Sequence, residues 1–424
     1  MQESRFKEAY LRLVDIVDTD PIEIEEKKDL YSMLSLCISE MVRQGETEML
    51  QEGLDISNTA LNAGCDKVRI LNTMGDMYYF GGHKRESVNI YRRALRDDED
   101  DVETLFNLGR SYYSLGESQR AIGSFISILE QDDLCEELKT QTFCMLGLAY
   151  HQDQDYQGSV ENLSQAIGDG LEVLDFLKAV EPDIMFGLGD SLSRLDKKQE
   201  AISYLKKLDE ICDGAEKLPD RDVLMYRKSL AQTYFELGRF SESSKAFDRI
   251  VEDFEDPECQ LFLGLSYLKE GNLKLANSNI DGCIGLLADR PELACKAYLG
   301  FAEIYLNRGD HAAAKEATRT SLDICNSTEA YVFLADILED EKDYRQALIV
   351  CNSGLANYEN DVDLLVRKKG LLRRMGEQDE MVEVLEQLYQ STNDESFLLE
   401  KIEYSRRFGR LEEAERDLQR SRAV

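Results

Sequence analysis

The sequence predicts an all-α fold, a solenoid built from antiparallel helix pairs, and three observations predict it. Residues 101–133 read as two amphipathic helices. Leu105, Leu108, Gly109 and Tyr112 fall at i, i+3, i+4 and i+7, and Ala121, Phe125 and Ile128 form a second stripe beyond the turn Leu115-Gly116-Glu117. The same arrangement recurs along nearly all of the 424 residues, one helical hairpin apart. Two such helices cannot cover their apolar faces alone, so each pair must stack on its neighbours. Composition agrees: 43% hydrophobic, 32% charged and only 5 Pro describe a chain rich in helix formers and able to form a core.

Taken in order, Phe6, Tyr10, Leu13, Val14 and Val17 share one face of a first helix, which is expected to end before Asp18-Thr19-Asp20-Pro21 and to cap the apolar end of the array. A longer helix runs from Ile22 to about Arg43, and after Gly45 a helix carries Leu50, Leu54 and Leu61, a divergent hairpin short of small crossing residues. Clear repeats follow, with the position of Gly109 as their ruler: Gly75, Gly109, Gly147, Gly189, Ala231, Gly264, Ala302, Ala335, Lys369 and Ile402. The successive spacings are 34, 38, 42, 42, 33, 38, 33, 34 and 33. Partners on the second helix of each pair include Tyr91, Ala94, Leu163, Ala166, Ala201, Leu205, Phe247, Ile250, Ala276, Ile280, Ala314, Ala347 and Ala414. Lys369 and Ile402 put large residues where small ones belong, which questions the packing of the last two pairs.

The longer spacings place insertions after Ile167 and after Ile211, each extending the second helix or the loop behind it. Pro182, Pro257 and Pro291 fall in or just before first helical turns, where a missing N–H is harmless. Acidic runs at Asp97–Asp101 and Glu252–Asp256 sit at repeat junctions and offer carboxylates to helix N-termini. The last helix, Leu411–Arg420, turns Leu411, Ala414 and Leu418 inward and Glu412, Glu413, Glu415, Arg416 and Arg420 outward, as a polar cap would. The chain thus divides into residues 1–64, a capping helix with a divergent hairpin, and residues 65–424, an array of about ten repeats.

The order Leu-x-x-Leu-Gly-x-x-Tyr, then Gly116, then Ala-x-x-x-Phe-x-x-Ile resembles the tetratricopeptide repeat, a helix–turn–helix unit of 34 residues. The resemblance covers roughly residues 65–420 and lacks the family's tryptophan throughout. It implies a right-handed superhelix with the first (A) helices on the concave side, and ligand contacts at the second, fifth, ninth, twelfth and thirteenth positions of each repeat. Carried onto this sequence, those positions nominate Asn72, Asp76, Tyr79 and Phe80, then Phe106, Arg110 and Tyr113, then Phe186 and Asp190, and finally Lys228 and Phe235. Further on, Leu261, Leu265, Leu268, Leu299, Val332 and Val366 fall on the same face with Glu303, Asp336, Glu339 and Asp340, a setting for a basic or amphipathic helix. The carboxylate clamp of co-chaperone members is missing: Asn107 fits one position, but Asn72, Asp76, Gln141 and Met145 stand where the others need Lys, Asn, Lys and Arg.

A formal charge of −34 repels phosphate backbones and anionic lipid surfaces, which argues against nucleic-acid or membrane binding through a basic face. It equally serves solubility. The ten cysteines follow no C-x-x-C or framework spacing and read as reduced core residues. No leader-like h-region and no run of ~18 apolar residues occurs, so a cytoplasmic setting is expected. His83 and His311 fall in turns and read as solvated, His151 stands apart from both, and no nucleotide, zinc-protease or hydrolase motif is present. The expectation is a non-enzymatic interaction scaffold, without metal or cofactor, that holds a peptide or helix of a protein partner in its concave groove. The alternative is a structural or self-associating subunit that docks through end repeats or the convex face.

Overall fold

A computed structural model of the chain describes residues 3–19, 24–168, 180–214 and 218–421. Those residues form twenty-three α-helices and no strand. Helix α1 (Glu3–Thr19) runs slightly past the expected end and precedes the hairpin of α2 (Ile24–Arg43) and α3 (Leu50–Asn62). Ten A/B pairs follow. They are α4 (Lys67–Phe80) with α5 (Lys84–Ala94), α6 (Val102–Ser114) with α7 (Ser118–Leu129), α8 (Glu136–Gln152) with α9 (Tyr156–Ile167), and α10 (Glu181–Arg194) with α11 (Lys198–Cys212). The fifth to seventh are α12 (Asp220–Glu236) with α13 (Phe240–Asp253), α14 (Pro257–Lys269) with α15 (Leu273–Ile284), and α16 (Pro291–Asn307) with α17 (His311–Ile324). The last three are α18 (Thr328–Asp340) with α19 (Tyr344–Asn357), α20 (Val362–Met375) with α21 (Gln378–Thr392), and α22 (Glu395–Arg407) with α23 (Leu411–Ser421). The chain forms two compact units, Met1–Ser229 and Leu230–Val424, whose boundary falls inside α12.

The ruler residues sit where the two helices of a pair cross. A Cβ added at Gly109 would come within 2.7 Å of Phe125, and one at Gly264 within 2.7 Å of Ile280, so the close approach needs glycine. The facing B-helix residues Phe125, Leu163, Phe247 and Ile280 are fully buried. Each A–B turn is closed by one residue at positive φ: Gly82, Gly116, Gln154, Asp196, Gly238, Gly271, Gly309, Lys342, Gly376 and Gly409. Their successive spacings equal those of the ruler, which fixes the register of all ten pairs, the last two included.

Those last two pairs are closed differently from the rest. Ile402, 3% exposed, packs with Leu398 and the small Ala414, so bulk on the A helix meets a small residue on the B helix. Lys369 instead turns its ammonium to Glu400 at 2.9 Å, while Leu365 and Leu372 pack against Met381, Leu385 and Leu388.

Helix starts follow the acidic junctions. Asp101 accepts from the Thr104 amide at 2.9 Å and Asp256 from the Cys259 amide at 2.8 Å. Pro257 and Pro291 open their helices and Pro182 lies in the first turn of α10. The insertion after Ile211 goes partly into a longer pair of helices, α11 of 15 residues and α12 of 17. Of the insertion after Ile167, residues 169–179 lie outside the described residues, as do 215–217 of the later one. All ten cysteines are free thiols, and Cys144, Cys283 and Cys351 are fully buried. His83 is exposed, but His311 is not simply solvated: its Nδ1 is buried.

Candidate functional site

In the unit formed by Met1–Ser229, successive A helices bring their ring and charge positions into contact with one another. The Arg110 guanidinium on α6 reaches back to Asp76 on α4 at 3.2 Å and lies 4.5 Å from the Tyr79 ring centre and 5.1 Å from that of Phe80. Arg43 approaches Phe80 at 5.2 Å, the Tyr79 hydroxyl meets the Ser114 hydroxyl at 2.8 Å, and the Tyr91 hydroxyl donates to Asp76 at 2.7 Å. Burial pushes the Asp76 carboxyl above the usual Asp range, opposed by the Tyr91 hydrogen bond and the charges of Arg110 and Arg43. Asp76, Tyr79, Phe80 and Arg110 therefore form one interlocked cluster across two repeats. Asn72 does not belong to an accessible face: it is 4% exposed and accepts from the buried Asn107 amide at 3.2 Å.

Farther along the same unit, Phe106 packs edge-on to the core ring Phe125, centroids 5.8 Å apart, and so serves its own hairpin. Tyr113 is pushed up to about 12 by burial, with the Asp183 charge adding to the shift. Phe186 sits between the His151 ring at 5.5 Å and the Tyr226 ring at 5.1 Å. Asp190 faces His151 Nε2 at 3.1 Å and Arg194 Nε at 3.6 Å, while the Tyr226 hydroxyl donates to Asp183 at 3.0 Å. Lys228 is half-buried on α12.

In the unit formed by Leu230–Val424, four consecutive A helices line a cavity of 370 Å³. Helix α12 supplies Phe235; α14 supplies Phe262, Leu265 and Lys269; α16 supplies Lys296, Leu299, Gly300 and Glu303; α18 supplies Glu329 and Phe333. Phe235 stands edge-on to Phe262 at 5.4 Å, and Phe262 is held from behind by the fully buried Phe247, stacked at 5.7 Å. The Lys296 ammonium lies 5.7 Å from the Phe262 ring centre, and Lys269 and Glu303 pair at 2.8 Å. An aromatic floor with charges of both signs can take an apolar side chain and orient the polar groups beside it.

Sequence reasoning nominated Phe235, Leu265, Leu299 and Glu303 for this face but not Phe262, Lys296 or Phe333. Leu261 and Leu268 are instead core, 0% and 4% exposed. Phe262, Gly300 and Phe333 each stand two residues before a ruler residue, a sixth position that the carried-over rule omits; that recurrence was the available signal. Among the described residues there is no group of three or more His, Cys, Asp or Glu placed to hold a metal, and no helix is long and apolar enough to cross a membrane.

Models of the tetratricopeptide repeat match residues 72–133 and 229–276, and a second such model matches 182–213. Comparison with curated proteins gives no match. Among solved structures, the C-terminal part of a repeat protein from Cytophaga hutchinsonii is 14% identical over 62% of this chain and 99% of its own, with a TM-score of 0.45. The Cut9–Hcn1 hetero-tetramer of the APC/C is 12% identical over 94% of this chain and 86% of its own, with a TM-score of 0.42. YrrB, described as having an unusual peptide-binding site, is 18% identical over 49% of this chain and 96% of its own, with a TM-score of 0.39. With the repeat models matching in both units and ten hairpins in a single register of crossing residues and left-handed turns, the chain is a tetratricopeptide-repeat protein.

Proposed function

We propose that the protein is a non-enzymatic interaction scaffold, and that the A-helix face between α12 and α18 takes an amphipathic segment of a protein partner. The observation that carries this is the 370 Å³ cavity with Phe235, Phe262 and Phe333 in its walls and Lys296 and Glu303 beside them. An apolar anchor of the partner enters between the rings, and its flanking charges meet Lys296, Glu303 and Glu329. Net charge of −34 favours a partner whose flanks are basic, through faster, salt-sensitive encounter.

The test is selection of a random peptide library on the intact chain, followed by affinity measurement on a Phe333→Ala, Lys296→Ala double variant that keeps its helical circular dichroism. Enriched peptides should carry an aromatic or branched aliphatic anchor with Lys or Arg close by, and should bind the variant at least about tenfold more weakly. Equal affinity for both proteins sinks this reading.

A second reading, docking on a larger assembly through an end of the array, is favoured by exposed Leu11, Ile16, Met33 and Leu36 on α1 and α2. It predicts self-association or an obligate partner that Leu11→Asp with Met33→Asp abolishes and that the cavity variant leaves intact.

A further inference from the structure

Helices α5, α6 and α7 line a second recess, of 520 Å³ and open to solvent, in the first unit. Its walls carry three arginines, Arg92 and Arg96 from α5 and the turn behind it, and Arg120 from α7; its remaining lining includes Leu108, Tyr112 and Gly123. Three guanidinium groups around one recess stand out in a chain whose formal charge is −34.

Glu117 already pairs with Arg120 at 2.6 Å, so the uncompensated cations of the recess are Arg92 and Arg96; of the other acids nearby in sequence, Asp97 is held by Lys67 at 2.8 Å and Asp101 caps α6. Arg92 and Arg96 form no ion pair among the described residues. Tyr112, 7% exposed as a whole, lies under the Arg120 guanidinium at 5.7 Å and gives the recess an aromatic wall. Gly123, exposed inside α7, lines the recess, and a side chain added there would meet no neighbour within 4 Å.

We infer that this cavity is an oxyanion site that receives the phosphoryl group of a phosphorylated serine or threonine in a partner protein. Guanidinium forks match the oxygens of a phosphate monoester two at a time, and a dianion balances more than one of the three cations. Charge selects the source. A single phosphoryl group on a flexible peptide can enter between α5 and α7, whereas an extended nucleic acid or lipid surface would meet the repulsion of the whole acidic chain. A contact made there would be gated by phosphorylation of the partner.

The test is titration of the intact chain at pH 7.5 with inorganic phosphate, with a phosphoserine peptide and with its unphosphorylated form, read by the arginine Nε–Hε resonances and matched in ionic strength with chloride. Expected are saturable shifts with phosphate and the phosphopeptide but not with chloride or the unphosphorylated peptide. An Arg92→Gln, Arg96→Gln variant should weaken both at least tenfold. Gly123→Leu, which fills the cavity and favours the helix, should abolish them while circular dichroism is unchanged. Absence of saturation, equal shifts with chloride, or undiminished binding by folded Gly123→Leu overturns the assignment. Binding of a single-stranded oligonucleotide or of phosphatidylserine vesicles as tightly as the phosphopeptide overturns its source.

Discussion

The ten turn residues at positive φ set a requirement on single positions. A left-handed backbone costs an L residue about 1–2 kcal/mol and glycine little. Gln154, Asp196 and Lys342 carry this strain where the other seven turns have glycine. Lys342→Gly should therefore stabilise the chain by about 1 kcal/mol, and Gly116→Ala should destabilise it by a similar amount, both read from urea midpoints at constant slope. A Lys342→Gly variant no more stable than the parent would mean that its side chain compensates for the strain. The turn at Gly116 and the crossing glycines were legible in the sequence because local chemistry alone demands them, whereas Gln154, Asp196 and Lys342 carry no such mark. Asn72 and Phe106 were not, because whether a position faces its own hairpin, the next repeat or solvent depends on the angle between stacked pairs, which no residue type encodes by itself.

At the scale of helices, the periodicity gave every hairpin from α4 onward, while the doubt over the final pairs came from reading size at one position without its partner. Ile402 against Ala414 restores the crossing with the bulk exchanged. The same end of the array depends on one buried cation. Lys401 on α22, 9% exposed, reaches Glu386 on α21 at 2.7 Å and Asp417 on α23 at 2.9 Å, which ties three helices together. Those two carboxylates hold its ammonium above the usual Lys range although burial works the other way. Lys401→Ala leaves both acids without that cation, Asp417 being only 5% exposed, and should cost about 3–5 kcal/mol. In a repeat array such a loss stays local. Amide exchange should accelerate through α22 and α23 and stay unchanged in α14 to α16; uniform acceleration would show that the unit unfolds as one.

Across the whole molecule, 84 acidic against 50 basic side chains make the folded state repel itself. Burial adds to this at particular carboxyls: Asp76, Glu103, Asp183 and Asp336 are all raised above their ordinary values of 3.8 for Asp and 4.5 for Glu. A carboxyl that binds its proton more readily folded than unfolded contributes stability that is complete below the unfolded value and lost as pH rises through the folded one. Asp196, Glu242 and Asp394 are shifted the opposite way by hydrogen bonds to Lys198, Arg239 and Ser396, and their contribution is lost as pH falls, but all three are exposed to solvent and count for little. The melting temperature should accordingly rise as pH is lowered from about 8 towards about 5, and fall only below about 4, where paired carboxylates protonate. Raising sodium chloride from about 50 mM to about 500 mM at pH 8 should also raise it, because screening weakens repulsion between exposed charges. A melting temperature that falls with added salt at pH 8 would mean that the cross-repeat ion pairs, such as Arg110 with Asp76 and Lys269 with Glu303, outweigh the net repulsion.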